Sequence, residues 1–289
     1  MEWHAHPDAI LMALLLLGLY AAGARWAGGK TVPRQQVTTA QAVLYVSGVA
    51  TLYIGAGSPV HDISEKYLLS MHMFQHLLFT LVAPPLLLLG TPGWMLRPLI
   101  QNHRVRRVAY TITRPFPALA IFNGVVLVTH LIPVVDLALQ VHMFHFFVHV
   151  LLVATAILMW FPVLSPLPEL PRIGPFAQLI YLFVQQLVPG VVASFLVFAD
   201  NVVYEFYASA PVRYWGISVV DDQKWAAVVM KLLGGTLLWA VMAVIFFRWF
   251  GEEDRATSAR TRSAPRPGVP DVRWPEVEAE LERMGLTKR

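Results

Sequence analysis

The sequence has no cysteine. Disulfides, thiolate metal sites and iron–sulfur clusters are therefore excluded, and any metal must be held by histidine, methionine, carboxylate or backbone oxygen. Charge is also scarce: 14% of the 289 residues are charged and 56% are hydrophobic, whereas a soluble chain carries about a quarter charged residues. No Lys or Arg precedes the first apolar run, which opens MEWHAHPD. A cleaved signal peptide needs a basic start, so this run reads as a retained helix. The apolar residues stand in long blocks and not in a stripe, the pattern of a polytopic membrane protein.

Apolar spans lie at about 9–27, 39–56, 71–90, 117–135, 143–162, 176–199 and 226–249. Each has roughly the 17–25 residues that a helix needs to cross the hydrocarbon core. The expected fold is all-α, with seven transmembrane helices. A net charge of +4 could suggest nucleic acid as a partner, but the basic residues sort by side of a bilayer instead. Of the 22 Lys and Arg, all but Lys66, Arg213, Lys224 and Lys231 fall on one side. The positive-inside rule then places the N-terminus outside and the C-terminus in the cytoplasm. Residues 1–250 read as the membrane domain. Residues 251–273, polar and rich in proline, read as a flexible cytoplasmic linker. Within 274–289, Trp274, Val277, Leu281 and Met284 fall on one stripe of a short amphipathic helix, with Pro275 suited to its first turn and Gly285 to its stop.

This topology sorts the ten histidines. Only His103 is cytoplasmic; His4, His6 and His61 precede spans on the outer side. His72 and His76 open the third span, His130 closes the fourth, and His142, His145 and His149 open the fifth. His72 and His76 are four apart, as are His145 and His149, so each pair projects from one face of its helix. One histidine at a helix end is more often an anchor or a core residue than a ligand. Two matched pairs at similar depth are harder to explain so, because ionisable groups inside a membrane are costly and usually face the bundle interior. The expected metal ligands are His72, His76, His145 and His149, with His130, His142, Met73, Asp222 and Met230 as accessory candidates. Imidazole with thioether suits copper; imidazole alone would also serve zinc or haem iron. Pro84-Pro85 and Pro189-Gly190 are expected to kink their helices.

Three stretches, HMFQHLLFTLVAPPLLLLGTP, HLIPVVDLALQVHMFHFFVH and DDQKWAAVVM, resemble the seven-helix CtaG family of cytochrome c oxidase assembly proteins over about residues 60–250. The family's H-M-x-Q-H is met by His72, Met73, Gln75 and His76. Its His with following Pro and Asp is met by His130, Pro133 and Asp136. Its H-x-x-E-H is met at His145 and His149 but has Val148 in the acidic place. Asp222, Gln223 and Met230 match the opening of its last helix, while Ala226, Ala227 and Lys231 depart from it.

The resemblance implies a binding and transfer protein, not an enzyme, in the plasma membrane of a bacterium. It would receive copper from an extracytoplasmic donor, hold it at its outer face and help install it in haem-copper oxidase subunits. A b-type cytochrome with one His from each of two helices is the first alternative. A metal transporter is the second, although the inner halves of the spans offer little but apolar side chains. Retinal binding is rejected: Lys231 lies too near the outer end of the last span, and the third span has no carboxylate counter-ion.

Overall fold

Proline fixes where many of the helices begin: Pro7, Pro59, Pro115 and Pro175 each stand at a first helical position, where the missing N–H costs nothing. A computed structural model describes residues 6–29, 35–263 and 273–286, and all regular structure among them is helical. In chain order α1 (Pro7–Gly28) and α2 (Thr39–Gly57) lead to a short helix, α3 (Pro59–Lys66). Next come α4 (Leu69–Gly90), α5 (His103–Ile112), α6 (Pro115–Thr129), α7 (Ile132–Gln140) and α8 (His142–Leu164). The series ends with α9 (Pro175–Phe198), α10 (219–263) and α11 (Trp274–Arg283).

Six of these, α1, α2, α4, α8, α9 and α10, are long and apolar enough to cross a membrane. A bent pair, α5 and α6, joined at 71°, passes the same test when taken together and makes the count seven if it is one span. The span expected at 117–135 thus ends early, at Thr129. Pro133 explains the early stop: it stands in the first turn of α7, and it has no N–H to offer the Thr129 carbonyl four residues earlier. The last helix departs in the other direction. It begins at Val219, where a loop was expected, because Ser218 caps it by accepting from the Asp221 N–H at 3.1 Å.

The chain divides into two compact units, Met1–Phe246 and Phe247–Arg289. In the second, the helix begun in the last span continues to Ser263, so half of the stretch expected to be a flexible linker is helical. The residues responsible, GEEDRATSAR, include good helix formers that polarity alone does not separate from a loop. Residues 264–272 lie outside the described residues, as does His4. Helix α11 begins with Pro275 in its first turn and is followed by Gly285 at φ 67°, a conformation that favours glycine.

Within the first unit the two most enclosed spans are α4 and α8, the helices that carry the paired histidines. Val148, Leu152, Ala156, Met159 and Trp160 of α8 pack with Phe122 and Val126 of α6, Leu88 of α4 and Leu182 of α9. The kink expected at Pro84 has a visible consequence. Proline has no N–H for the Thr80 carbonyl four residues earlier, and α4 passes through a π-helical stretch at Leu78–Val82. The freed Thr80 carbonyl accepts from the Trp160 indole N–H at 2.9 Å, which ties α4 to α8 just below the histidines.

Close backbone approach also locks α2 to α4. A Cβ on Gly90 would lie 2.7 Å from Tyr45 Cα, closer than packed atoms allow. Gly90→Ala is therefore expected to cost about 1–3 kcal/mol, the usual range for overpacking. Gly124, which has nothing within 4 Å of a built Cβ, supplies the control. In detergent, Gly90→Ala should melt below Gly124→Ala; equal melting temperatures would mean that the two helices part freely.

Candidate metal centre

The site begins with a capping problem. Helix α4 starts at Leu69 behind Leu68, whose side chain cannot accept a hydrogen bond, so its first N–H groups need a partner from elsewhere. Asp222 of α10 supplies it: its carboxylate accepts from Leu69 N at 2.7 Å, from Ser70 N at 3.2 Å and from the Ser70 hydroxyl. Asp222 is buried and fully engaged, so it does not face the histidines as a ligand. It instead fixes the turn from which His72 and His76 project.

From that turn four imidazoles converge. The ring centroids of His72 and His76 are 4.4 Å apart, those of His145 and His149 4.2 Å. Across the helix interface His72 lies 5.3 Å from His145 and 5.9 Å from His149, and His76 lies 5.3 Å from His149. His130, at the end of α6, adds a fifth ring 5.8 Å from His76. Nitrogens of His72, His76 and His149 all lie within 4.8 Å of one another. The two pairs expected to face each other do so.

Hydrogen bonding decides which nitrogens are open. His145 Nδ1 lies 2.7 Å from Glu65 Oε1; a carboxylate only accepts, so Nδ1 carries the proton and Nε2 keeps its lone pair. His130 Nδ1 lies 2.7 Å from the Val126 carbonyl, which leaves His130 Nε2 bare by the same reasoning. His72 Nδ1 and the Nε2 atoms of His76, His130, His145 and His149 are all buried without a hydrogen-bond partner. A buried polar atom normally has one, and five such atoms on neighbouring rings in an apolar bundle would suit a cation.

Glu65 is the functional residue that sequence reasoning missed. It stands on α3, outside the spans, and also lies 3.2 Å from His61 Nε2. Gln75 sets the His61 tautomer: its amide donates to the Gly55 carbonyl at 2.8 Å and reaches His61 Nδ1 at 3.0 Å. His61 therefore presents its own N–H to Glu65. Burial alone would raise the Glu65 carboxyl, but the His145 hydrogen bond and the nearby His61, His145 and His142 rings outweigh it and hold it below the usual carboxylate range. Burial is the main influence on His61 and holds it below the ordinary imidazole value, against the pull of Glu65. A carboxylate bonded to the far nitrogen of a ligand histidine fixes its ring and raises its basicity. Val148, in the place where the family motif is acidic, is packed in the core, and the carboxylate beside His145 comes from Glu65. The one trace in the sequence was His61 and Glu65 four apart on an amphipathic helix.

The accessory candidates divide. His142 is exposed, with its Nε2 3.7 Å from Asp8 Oδ2, and does not join the cluster; as the first residue of α8 it lies one turn beyond His145. Met73 is buried and packs with Leu69, Tyr204 and Tyr207. It also lines a cavity together with His76, His130 and Met230. Lys231 is exposed, its Nζ 3.1 Å from Ser194 Oγ.

Fold and site together define a polytopic, all-helical membrane protein with a buried imidazole cluster near one end of the bundle. The chain belongs to the cytochrome c oxidase caa3 assembly factor family (Caa3_CtaG), whose family model matches residues 18–252. No match was found among curated proteins or among solved structures.

Proposed function

We propose that this protein assists assembly of a haem-copper oxidase by binding copper, as cargo, at the imidazole cluster. His72, His76 and His149 would be the primary ligands, with His145 beside them. The observation that carries this reading is the set of five buried imidazole nitrogens without partners, three of them from residues clustered within 4.8 Å. Neutral imidazole is a good donor to copper and zinc; the oxidase named by the family favours copper. The family's name also supports oxidase subunits as the partners. The positive-inside bias supports placing the site at the outer face of a bacterial plasma membrane, where an extracytoplasmic donor would reach it.

A haem reading is less well supported, because a porphyrin needs a slot between two facing rings and these centroids are only 4.2–5.9 Å apart. The test is metal analysis with an absorption spectrum on the purified protein. Retained copper and no Soret band is the expected result; a Soret band, or no copper after reconstitution, would overturn the reading. For topology, a reporter fused after Arg289 should be active in the cytoplasm and one before Glu2 outside. The reverse pattern would put the site on the wrong side for an outer donor.

A further inference from the structure

The five imidazoles do not all open onto the same space. A cavity of about 240 Å³ is lined by Asp8, His142, Glu65, His61 and His149. A second, of about 200 Å³, is lined by His76, His130, Met73, Met230, Gln186 and Lys231, whose Nζ is drawn to Ser194 Oγ at 3.1 Å. His149 borders only the first and His76 only the second, and their ring centroids are 5.3 Å apart. His149 and His76 thus border different chambers, the first of which reaches the exposed His142, while His72 and His145 line neither.

The second chamber has its own donor set. His76 Nε2 and His130 Nε2 are buried without partners, as is the Gln186 amide nitrogen. Met73 comes from α4 and Met230 from α10, so two thioethers on different helices border the space that the two imidazoles border. Both helices change pitch beside it: Leu78–Val82 follows His76, and Val229–Leu233, which contains Met230, is also π-helical. Such departures concentrate at functional sites. Thioether with imidazole is a soft, uncharged donor set, and among biological cations it selects Cu(I).

We propose that the second cavity is a delivery station for Cu(I), formed by His76, His130, Met73 and Met230, and that it shares His76 with the receiving station of His72, His76, His149 and the neighbouring His145. The proposal rests on the copper reading above. Passage from one station to the other is ligand exchange alone. Copper remains Cu(I), each bond broken to an imidazole nitrogen is replaced by one to nitrogen or sulfur, and no electron moves. No proton need leave His130 or His145, because the hydrogen-bonded nitrogen of each keeps it. His76 belongs to both sets and would carry the ion across.

The test uses the full chain in detergent, loaded anaerobically with excess Cu(I), and reads copper stoichiometry together with X-ray absorption at the copper edge. Two bound copper ions per chain are expected, with a sulfur shell beside the nitrogen shell. The double variant Met73→Leu, Met230→Leu, close in volume and so tolerated by the core, should keep one copper with nitrogen ligands only. A single, nitrogen-only copper in the wild type would overturn the delivery station and leave the receiving site standing. A sulfur shell unchanged in the double variant would overturn it too, by tracing the sulfur to other methionines. No copper in any form would overturn the copper reading itself, and the station with it.

Discussion

Cells carrying His72→Ala with His76→Ala are expected to make a normal amount of folded membrane protein and an oxidase short of copper. Insertion is carried by the long apolar helices, to which these two side chains add nothing favourable. Both imidazoles leave a nitrogen buried and unpaired, so removing them relieves a cost. Binding should suffer much more than stability. Loss of a group that merely supports a ligand weakens metal affinity about 10–100-fold, so losing two direct ligands should exceed about 100-fold. The decisive measurement is copper per oxidase in isolated membranes, normalised to the level of the variant protein. Full copper occupancy at normal protein level would assign these histidines to structure alone.

Glu65 offers the second large effect, and a graded one. Glu65→Gln keeps an acceptor oxygen for His145 but removes the charge, and is expected to weaken copper binding about 10-fold. Glu65→Leu leaves the N–H groups of His145 and His61 without an acceptor and frees the His145 ring, so about 100-fold is expected, the upper end for a supporting group. Competition with a chromophoric Cu(I) chelator measures both. A positioning role requires the order wild type, Gln, Leu in affinity while copper stoichiometry at saturation stays constant. Equal affinities for all three would remove Glu65 from the site.

What the sequence disclosed and what it concealed follow from the range of each interaction. The paired histidines were legible because four-residue spacing inside an apolar run is local information, and a helix converts it directly into a shared face. The facing of the two pairs was legible only through cost, since burying four imidazoles makes sense when they meet. Glu65 lies 80 residues from His145 in the chain, and nothing near either residue announces the bond. The capping role of Asp222 was concealed for the same reason: its partners are 152 and 153 residues away, so an acidic residue at a span boundary read as an accessory metal candidate. His142 shares a stripe with His145 and His149, and helical periodicity cannot say where the bundle stops enclosing that stripe. The early end of α6 was announced by Pro133, but apolar residues continue past it and hydropathy ran through the break.

The shortness of α6 also bears on the lipid around it. Fifteen residues at about 1.5 Å each cover about 22 Å, against a hydrocarbon core of about 30 Å. Where the bent partner α5 does not make up the difference, the result would be negative hydrophobic mismatch, met by local thinning of the bilayer at fractions of a kcal/mol per ångström. His130 stands at the end of that short helix. Bilayer thickness is therefore expected to act at the imidazole cluster, with acyl-chain length as an environmental setting in its own right.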